Sequence, residues 1–434
     1  MAVFDQWIYL LSRDLPPISS LIGFHVLGDH AALILYPISL LYRLYPSIQW
    51  LFLVQAIAFA AGAIPIYALS LQVGLTKLDA RAIALCYVLY PALFNSNFYA
   101  DFRPEAIAVP ALLWALWAGV AENTLLLAVA VIVVLSCKDT LGLTVFGLGL
   151  WFWLSERQRL YGIGCMIAGA GWFWVAIHYL IPLVRPGAPR GLWFFESLGT
   201  SMSAVLWALV SHPQELLLRL AAPDRLFYYL LLVLPVLLGL YWKHALTLIP
   251  ALPMLLLNVL SDYPSQRDLI HQYALPIVPF VLLWLVRSLA HYRQNNQRRW
   301  LSPKWLVTWA AIAFLALGKY SYFYTQYRSH LSNAAEVYAA IDQIPPAASV
   351  LTVSHLCAHL SHRITIQQLS PSLKPDQLTP YSEILLDMRH PGRDLNPNVA
   401  KRLKTLLESR PDYQVTFNKN DVIRFSQRRP SGQT

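Results

Sequence analysis

NFYADFRPEAIAVP, residues 97–110, sets Asp101, Arg103 and Glu105 between two runs that are almost wholly apolar. The charges mark a turn, and the runs on either side, Ala82 to Phe94 and Ala106 to Val120, read as membrane-spanning helices. Working outward, runs of the same kind lie at Gln49 to Val73, Thr124 to Ser136, Leu141 to Leu154, Leu160 to Val184, Leu226 to Trp242, Ala245 to Leu260, Tyr273 to Leu289 and Trp305 to Tyr320. A span needs roughly 20 apolar residues, so the shorter runs must extend into their flanking loops.

The composition agrees. The chain of 434 residues is 57% hydrophobic and 13% charged, where a soluble domain has about 45–50% and about 25%. Its 15 Trp, 23 Tyr and 29 Pro suit membrane interfaces and helices whose neighbours satisfy freed backbone groups. The fold expected is an α-helical polytopic membrane protein with about ten transmembrane helices. The net charge of +10 reads as Lys/Arg excess in cytoplasmic loops. Nucleic-acid binding is set aside, because the basic segment RQNNQRRWLSPK lacks aromatic interleaving and any recognisable module. Cys86 and Cys165 lie inside apolar runs, Cys137 borders one and Cys357 is remote, so disulfides and Cys metal sites are not expected.

Charge placement sets the orientation. Lys77 and Arg81, Arg157 and Arg159, Lys243, and the group Arg293, Arg298, Arg299 and Lys304 fall in alternate loops, which the positive-inside rule places in the cytoplasm. The opposite face then receives the quoted loop, Cys137 to Thr140, Arg185 to Arg225, Ser261 to Gln272 and everything after Tyr320. On this reading 1–48 is an outer-face loop with an interfacial helix, 49–320 the transmembrane bundle, and 321–434 an extracytoplasmic domain of a plasma-membrane protein. The opening MAVFDQW reads as a start inside an exported loop, with a first spanning helix missing. In the last segment SVLTVS and SEILLDM read as buried strands and Asn333 to Ile344 and Asn398 to Ser409 as helices, giving a small α/β domain whose tail SQRRPSGQT is expected to be disordered.

Acids, histidines and phosphate-suited cations gather on the outer face. Asp5 and Gln6 stand in VFDQ, Asp29 and His30 in GDHAALILYP, Lys138 and Asp139 in CKDTLGL, and Asp262, Arg267, Asp268, His271, Gln272 and Tyr273 in SDYPSQRDLIHQYALP. Arg185 and Arg190 add cations to the same side. Structural roles are open for each. Glu105 suits the positive end of a helix dipole, Lys138 and Asp139 can close a hairpin as an ion pair, and a lone His30 suits an interface. The functional readings are a Lys that binds phosphate and a carboxylate beside His as metal site or general base.

At these motifs the sequence resembles a bacterial family of predicted membrane proteins, domain of unknown function 2079. The matching stretches are FDQ at Phe4 to Gln6, His25 to Pro37, DFRPEAIAVP where the family tends to read D-F-H-P-E, CKDTLGL where it tends to read K-E-D, YALPIVPF, and AHLSHR at Ala358 to Arg363. Arg103 stands where the family tends to have His, and an Arg cannot serve as metal ligand or proton shuttle. The family's architecture looks like that of GT-C glycosyltransferases. What this implies is sugar transfer from a polyprenyl-phosphate donor to an acceptor outside the membrane. By that resemblance Asp5 is the general base, and Asp29 and His30 support it or bind a divalent cation. Lys138, Arg103 and Arg190 hold the donor phosphate, while Asp101 and Glu105 orient those cations or the sugar hydroxyls. Asp139, Asp262 and His271 join the substrate-binding set.

The competing expectation is a non-catalytic multi-pass protein, a transporter or a lipid-handling component. Transport predicts charge near the bilayer midplane and broken helices there. The apolar runs hold almost no ionisable residues, which favours a site at the outer rim.

Overall fold

The computed structural model describes residues 1–99, 101–185, 187, 191–298, 300–392 and 397–428. Two compact units emerge, one formed by 27–35 with 51–320 and the other by 1–26, 36–50 and 321–434.

The larger unit is helical. Its apolar runs form helices at Ala63–Gln72, Lys77–Val88, Glu105–Val120, Thr124–Cys137, Leu141–Leu154, Arg159–Val175, Val278–Gln294 and Pro303–Leu317, among others. Three stretches, Gln49–Gln72, Arg159–Val184 and Trp242–Leu260, are long and apolar enough to cross a membrane, and five if each of two bent pairs counts as one span. That is fewer than the ten runs the sequence offers, because several helices stop short. Pro91 opens a helix after Tyr90, Pro235 lies in the first turn of the 3₁₀ segment Leu234–Gly239, and the Asn123 side chain caps the helix from Thr124 by accepting from the Leu126 N–H at 3.0 Å.

Glycine governs the closest helix contact. Gly142 and Gly149 on Leu141–Leu154 face Gly169 and Gly162 on Arg159–Val175. A Cβ at Gly169 would lie 2.4 Å from the Gly142 carbonyl oxygen, and one at Gly149 would lie 2.5 Å from that of Gly162. Helices in lipid gain packing by this close approach of backbones. Two acids in the loops assigned to the cytoplasm are paired with arginines. Buried Asp79 accepts from the Arg293 guanidinium at 2.7 and 3.1 Å, and Glu156 lies 2.7 Å from Arg287.

The smaller unit contains the expected α/β domain. Its five strands, β3 (Val350–Thr352), β4 (Ile366–Gln368), β5 (Glu383–Asp387), β6 (Tyr413–Lys419) and β7 (Val422–Gln427), run in the order β4-β3-β5-β7-β6. The first three are parallel and the last two antiparallel. β3 and β5 are buried along their whole length, as central strands covered on both faces must be, so Val350 and Leu351 in one and Ile384 to Leu386 in the other read as short apolar runs. Helices Ala334–Asp342 and Pro397–Ser409 lie where the sequence places them. Asn420 and Asp421, at φ 47° and 65°, form the tight turn between β6 and β7. The tail differs from expectation, since Ser426 and Gln427 are paired in β7 with Glu383 bonded to the Ser426 hydroxyl. Residues 429–434 lie outside the described residues.

The segment read as 1–48 divides between the units. In the smaller one, helix Ala2–Ser12 and the hairpin β1 (Ile18–Ser19) and β2 (Phe24–His25) are tied to the α/β domain by Gln6. Its amide nitrogen donates to the Arg363 and Ile364 carbonyls at 3.0 and 3.2 Å, and its oxygen accepts from the Ser19 hydroxyl at 2.7 Å.

Candidate functional site

In the helical unit, side chains from motifs far apart in sequence meet at helix ends. Glu105 begins helix Glu105–Val120 and Lys138 ends Thr124–Cys137. Lys138 Nζ donates to Glu105 Oε1 at 2.7 Å, and both side chains are nearly buried, 12% and 5% exposed. Burial works against the Lys138 charge, but Glu105 outweighs it and holds the pKa above the ordinary lysine value. His30 follows Asp29 in the short turn Leu27–His30, and its Nδ1 lies 3.4 Å from Asp139 Oδ1. The backbone joins the same pair, with the Asp139 N–H donating to the His30 carbonyl at 2.9 Å.

Arg103 donates to the Asp101 carboxylate. Burial opposes its charge, and the Asp101 and Glu105 carboxylates, with Asp29 adding to them, raise its pKa. Asp101, Arg103, Glu105, Asp29, His30, Lys138 and Asp139 therefore form one electrostatic cluster. Beside it a narrow recess, with room for about one water, is lined by Gln55, Tyr99, Asp101, Arg103, Gln272 and Leu275.

His271 belongs to this recess through a chain of three groups. Asp268 Oδ1 accepts the Ile270 and His271 N–H groups at 2.8 and 2.9 Å, leaving Oδ2 2.7 Å from His271 Nδ1. His271 Nε2 lies 3.2 Å from the Tyr99 hydroxyl. Tyr99 carried no signal in the sequence because it is one aromatic among many. Asp262 lies elsewhere, bonded to the Ser197 N–H at 2.9 Å and 3.5 Å from Arg219. Burial opposes its ionisation, while the Ser197 hydroxyl and N–H and the Arg219 charge outweigh it and hold the carboxyl below the usual range. Arg190 lies outside the described residues.

In the smaller unit Asp5 is fully buried. Tyr42 OH donates to Oδ1 at 2.5 Å, the Ser361 hydroxyl donates to Oδ2, and His362 Nε2 stands 3.1 Å from Oδ2 but out of line for a good hydrogen bond. Burial and the Asp5 charge both drive the Tyr42 pKa upward. Tyr9 stacks on His362 with ring centroids 4.7 Å apart. The FDQ and AHLSHR motifs thus meet, Asp5 on Ser361 and His362, Gln6 on Arg363.

A second polar knot in this unit was not read from the sequence. Asp387, at the end of β5, accepts from Asn333 at 2.9 Å and the Arg389 and His390 N–H groups at 3.0 and 3.1 Å, with His355 Nε2 at 3.3 Å and His390 Nδ1 at 3.1 Å. Burial alone would raise its pKa, but the close His355 ring, then the hydrogen bonds from His390 and Asn333, hold it well below the usual carboxylate range. The i, i+3 pair in DMRH was the available signal. Among the described residues no group of three or more His, Cys, Asp or Glu is arranged to hold a metal ion.

An apolar helical unit with paired charges at its helix ends, together with a small α/β domain, defines a membrane protein. The chain belongs to the family of predicted membrane proteins named DUF2079, whose model matches residues 1–424. No curated protein matches it.

Proposed function

We propose that this protein is a membrane glycosyltransferase that moves a sugar from a polyprenyl-phosphate-linked donor to an acceptor hydroxyl on the extracytoplasmic face of the plasma membrane. The observation that supports it is the gathering of Lys138, Arg103, Glu105, Asp101, His30 and Asp139 at helix ends in one unit. Residues that merely ended separate helices would have no reason to share one electrostatic field. The proposal keeps about ten transmembrane helices, with the shorter apolar helices spanning together with their flanking segments.

In this reading the anomeric C–O bond to phosphate breaks, the acceptor oxygen bonds to that carbon, and the acceptor proton leaves. Lys138 and Arg103 hold the phosphate as its negative charge grows, with Arg190 as a further cation. Asp101 and Glu105 hold the two cations in place and exchange them for the incoming anion. Proton acceptance is assigned to Asp5. Asp29 and His30 support the site or take a divalent cation, and Asp139 and His271 complete the substrate set. Asp262, bonded to Ser197 and near Arg219, serves from the Ser261 to Gln272 loop.

The alternative is a non-catalytic multi-pass protein, a transporter or a lipid-handling component. The closed Lys138–Glu105 pair favours it, since the cation already has a partner. Incubating the purified full chain with polyprenyl-phosphate sugars separates the two. Glycosyl transfer with release of lipid phosphate is expected, and Asp5→Asn lowers it about 100-fold or more. Lipid-sugar binding without any transfer would establish the non-catalytic reading.

A further inference from the structure

Residues 320–330, YSYFYTQYRSH, form a helix of 11 residues in which none is buried. A helix this short does not hold in water on propensity alone, because nucleation is costly and most helical stability comes from covering one face. The sequence supplies such a face. Tyr320, Tyr324 and Tyr327 stand at i, i+4 and i+7, and Leu331 follows at i+11 in the next 3₁₀ turn, so the four line one stripe. Tyr324, Tyr327 and Leu331 are each more than half exposed, and the Tyr324 and Tyr327 hydroxyls have no partner among the described residues. On the opposite side Thr325 and Ser329 donate to the helix's own Ser321 and Gln326 carbonyls at 2.9 and 2.8 Å.

What covers the stripe is set by its surroundings. The preceding apolar helix, Pro303–Leu317, ends at Gly318, and its Trp305, Ile312 and Leu315 are more than half exposed, as side chains that face lipid are. The Tyr320 hydroxyl donates back to the Leu315 carbonyl at 3.1 Å, which fixes the start of the tyrosine helix at the end of the apolar one. Tyr also carries an apolar ring and a polar tip, the combination that gathers at the headgroup level of a bilayer. Charge agrees with this. No Asp or Glu occurs from residue 305 to 335, and Lys319 and Arg328 face no carboxylate among the described residues. Cations beside an aromatic stripe complement anionic headgroups.

We propose that helix Tyr320–His330 lies in the bilayer interface, with Tyr320, Tyr324, Tyr327 and Leu331 turned into the lipid, and docks the α/β domain on the membrane surface. At the other end of the helix the His330 ring stacks on His390 with centroids 4.4 Å apart, so the domain is held to the same element that the lipid holds. The anchor goes beyond the transferase reading and does not depend on it, since a transporter or a lipid-handling protein would use it equally.

Spin labelling of the full chain in nanodiscs of phosphatidylcholine and phosphatidylglycerol tests the anchor. The four natural cysteines are buried, so a label reports on an introduced one. Tyr324→Cys and Tyr327→Cys place it on the stripe, and Thr325→Cys and Ser329→Cys on the far side, all at exposed positions where the fold is kept. Oxygen concentrates in lipid and a nickel chelate stays in water. The expected ratio of oxygen to nickel collisions is several-fold higher at 324 and 327 than at 325 and 329, the pattern of a helix whose apolar face enters the headgroup boundary by about 5–10 Å. Equal nickel access at all four positions describes a solvated helix and overturns the proposal. Exclusion of both reagents from 324 and 327 shows protein over the stripe, a second copy of the chain included, and overturns it as well.

Discussion

Asp5 and Glu105 are both buried carboxylates in a mostly apolar chain, yet they are stabilised in different ways. Glu105 has a full counter-charge, Lys138 at 2.7 Å. Asp5 is surrounded by hydroxyl donors and an imidazole. A charge held by a charge loses most when one partner is removed alone, whereas a charge held by several neutral donors loses them one at a time. The first arrangement suits a site that must exchange partners with an incoming anion, and the second suits a carboxylate that fixes the groups around it.

The largest effect follows from breaking the ion pair. Lys138→Met leaves Glu105 buried without its counter-charge and costs about 3–5 kcal/mol of stability. Adding Glu105→Gln restores most of it, and thermal unfolding of the single and double variants in detergent reads both. Equal losses in single and double variants would place the pair outside the energetics of the helical unit. Asp5→Asn removes the acceptor charge from Tyr42 and Ser361 and costs about 1–3 kcal/mol, with Tyr42→Phe recovering part of the same term in a double-mutant cycle. Additive losses would contradict the shared carboxylate.

Asp387 gives a milder effect with a defined pH dependence. Its folded pKa is depressed, so its contribution is fully present above the unfolded carboxylate range and is lost as pH falls through that range towards the lower folded value. Asp387→Asn removes the dependence and about 1–3 kcal/mol at neutral pH. Denaturant unfolding of the full chain between pH 7 and pH 3, followed by near-ultraviolet signals, would show an unchanged slope if the knot were irrelevant. The last comparison tests packing, and its control variant carries the smallest effect. Gly169→Ala presses a methyl group towards the Gly142 carbonyl and costs about 1–3 kcal/mol, whereas Gly171→Ala, whose Cβ meets nothing, should be neutral or slightly stabilising. A thermal shift of the same sign and size in both would remove the close-approach explanation.

How much of this was legible depended on the scale of the signal. The apolar runs gave the helical unit, since a stretch such as Thr124 to Ser136 permits little else. The strands β3 and β5 were visible because each carries a short buried apolar run, Val350–Leu351 and Ile384–Leu386, while β6, exposed at most positions, carried no such mark. The side chains of the rim were named from motifs that each read as local. That Asp139 would meet His30, or Glu105 meet Lys138, depends on helix packing, which no residue spacing encodes. Tyr42 and Ser361 around Asp5 were missed for the same reason, although AHLSHR had been singled out. Gln6 was seen only beside Asp5, whereas its role is to bind the carbonyls of Arg363 and Ile364.

The central claim is that the charged helix ends handle a lipid-linked phosphate sugar. The most direct measurement is release of polyprenyl phosphate from a polyprenyl-phosphate sugar by the full chain in nanodiscs, alone and with Arg103→Gln. The account predicts release coupled to glycosyl transfer, slowed about 100-fold by Arg103→Gln through loss of a cation that stabilises the developing charge. A folded protein that transfers no sugar, or that transfers it at the same rate without the Arg103 charge, would contradict it.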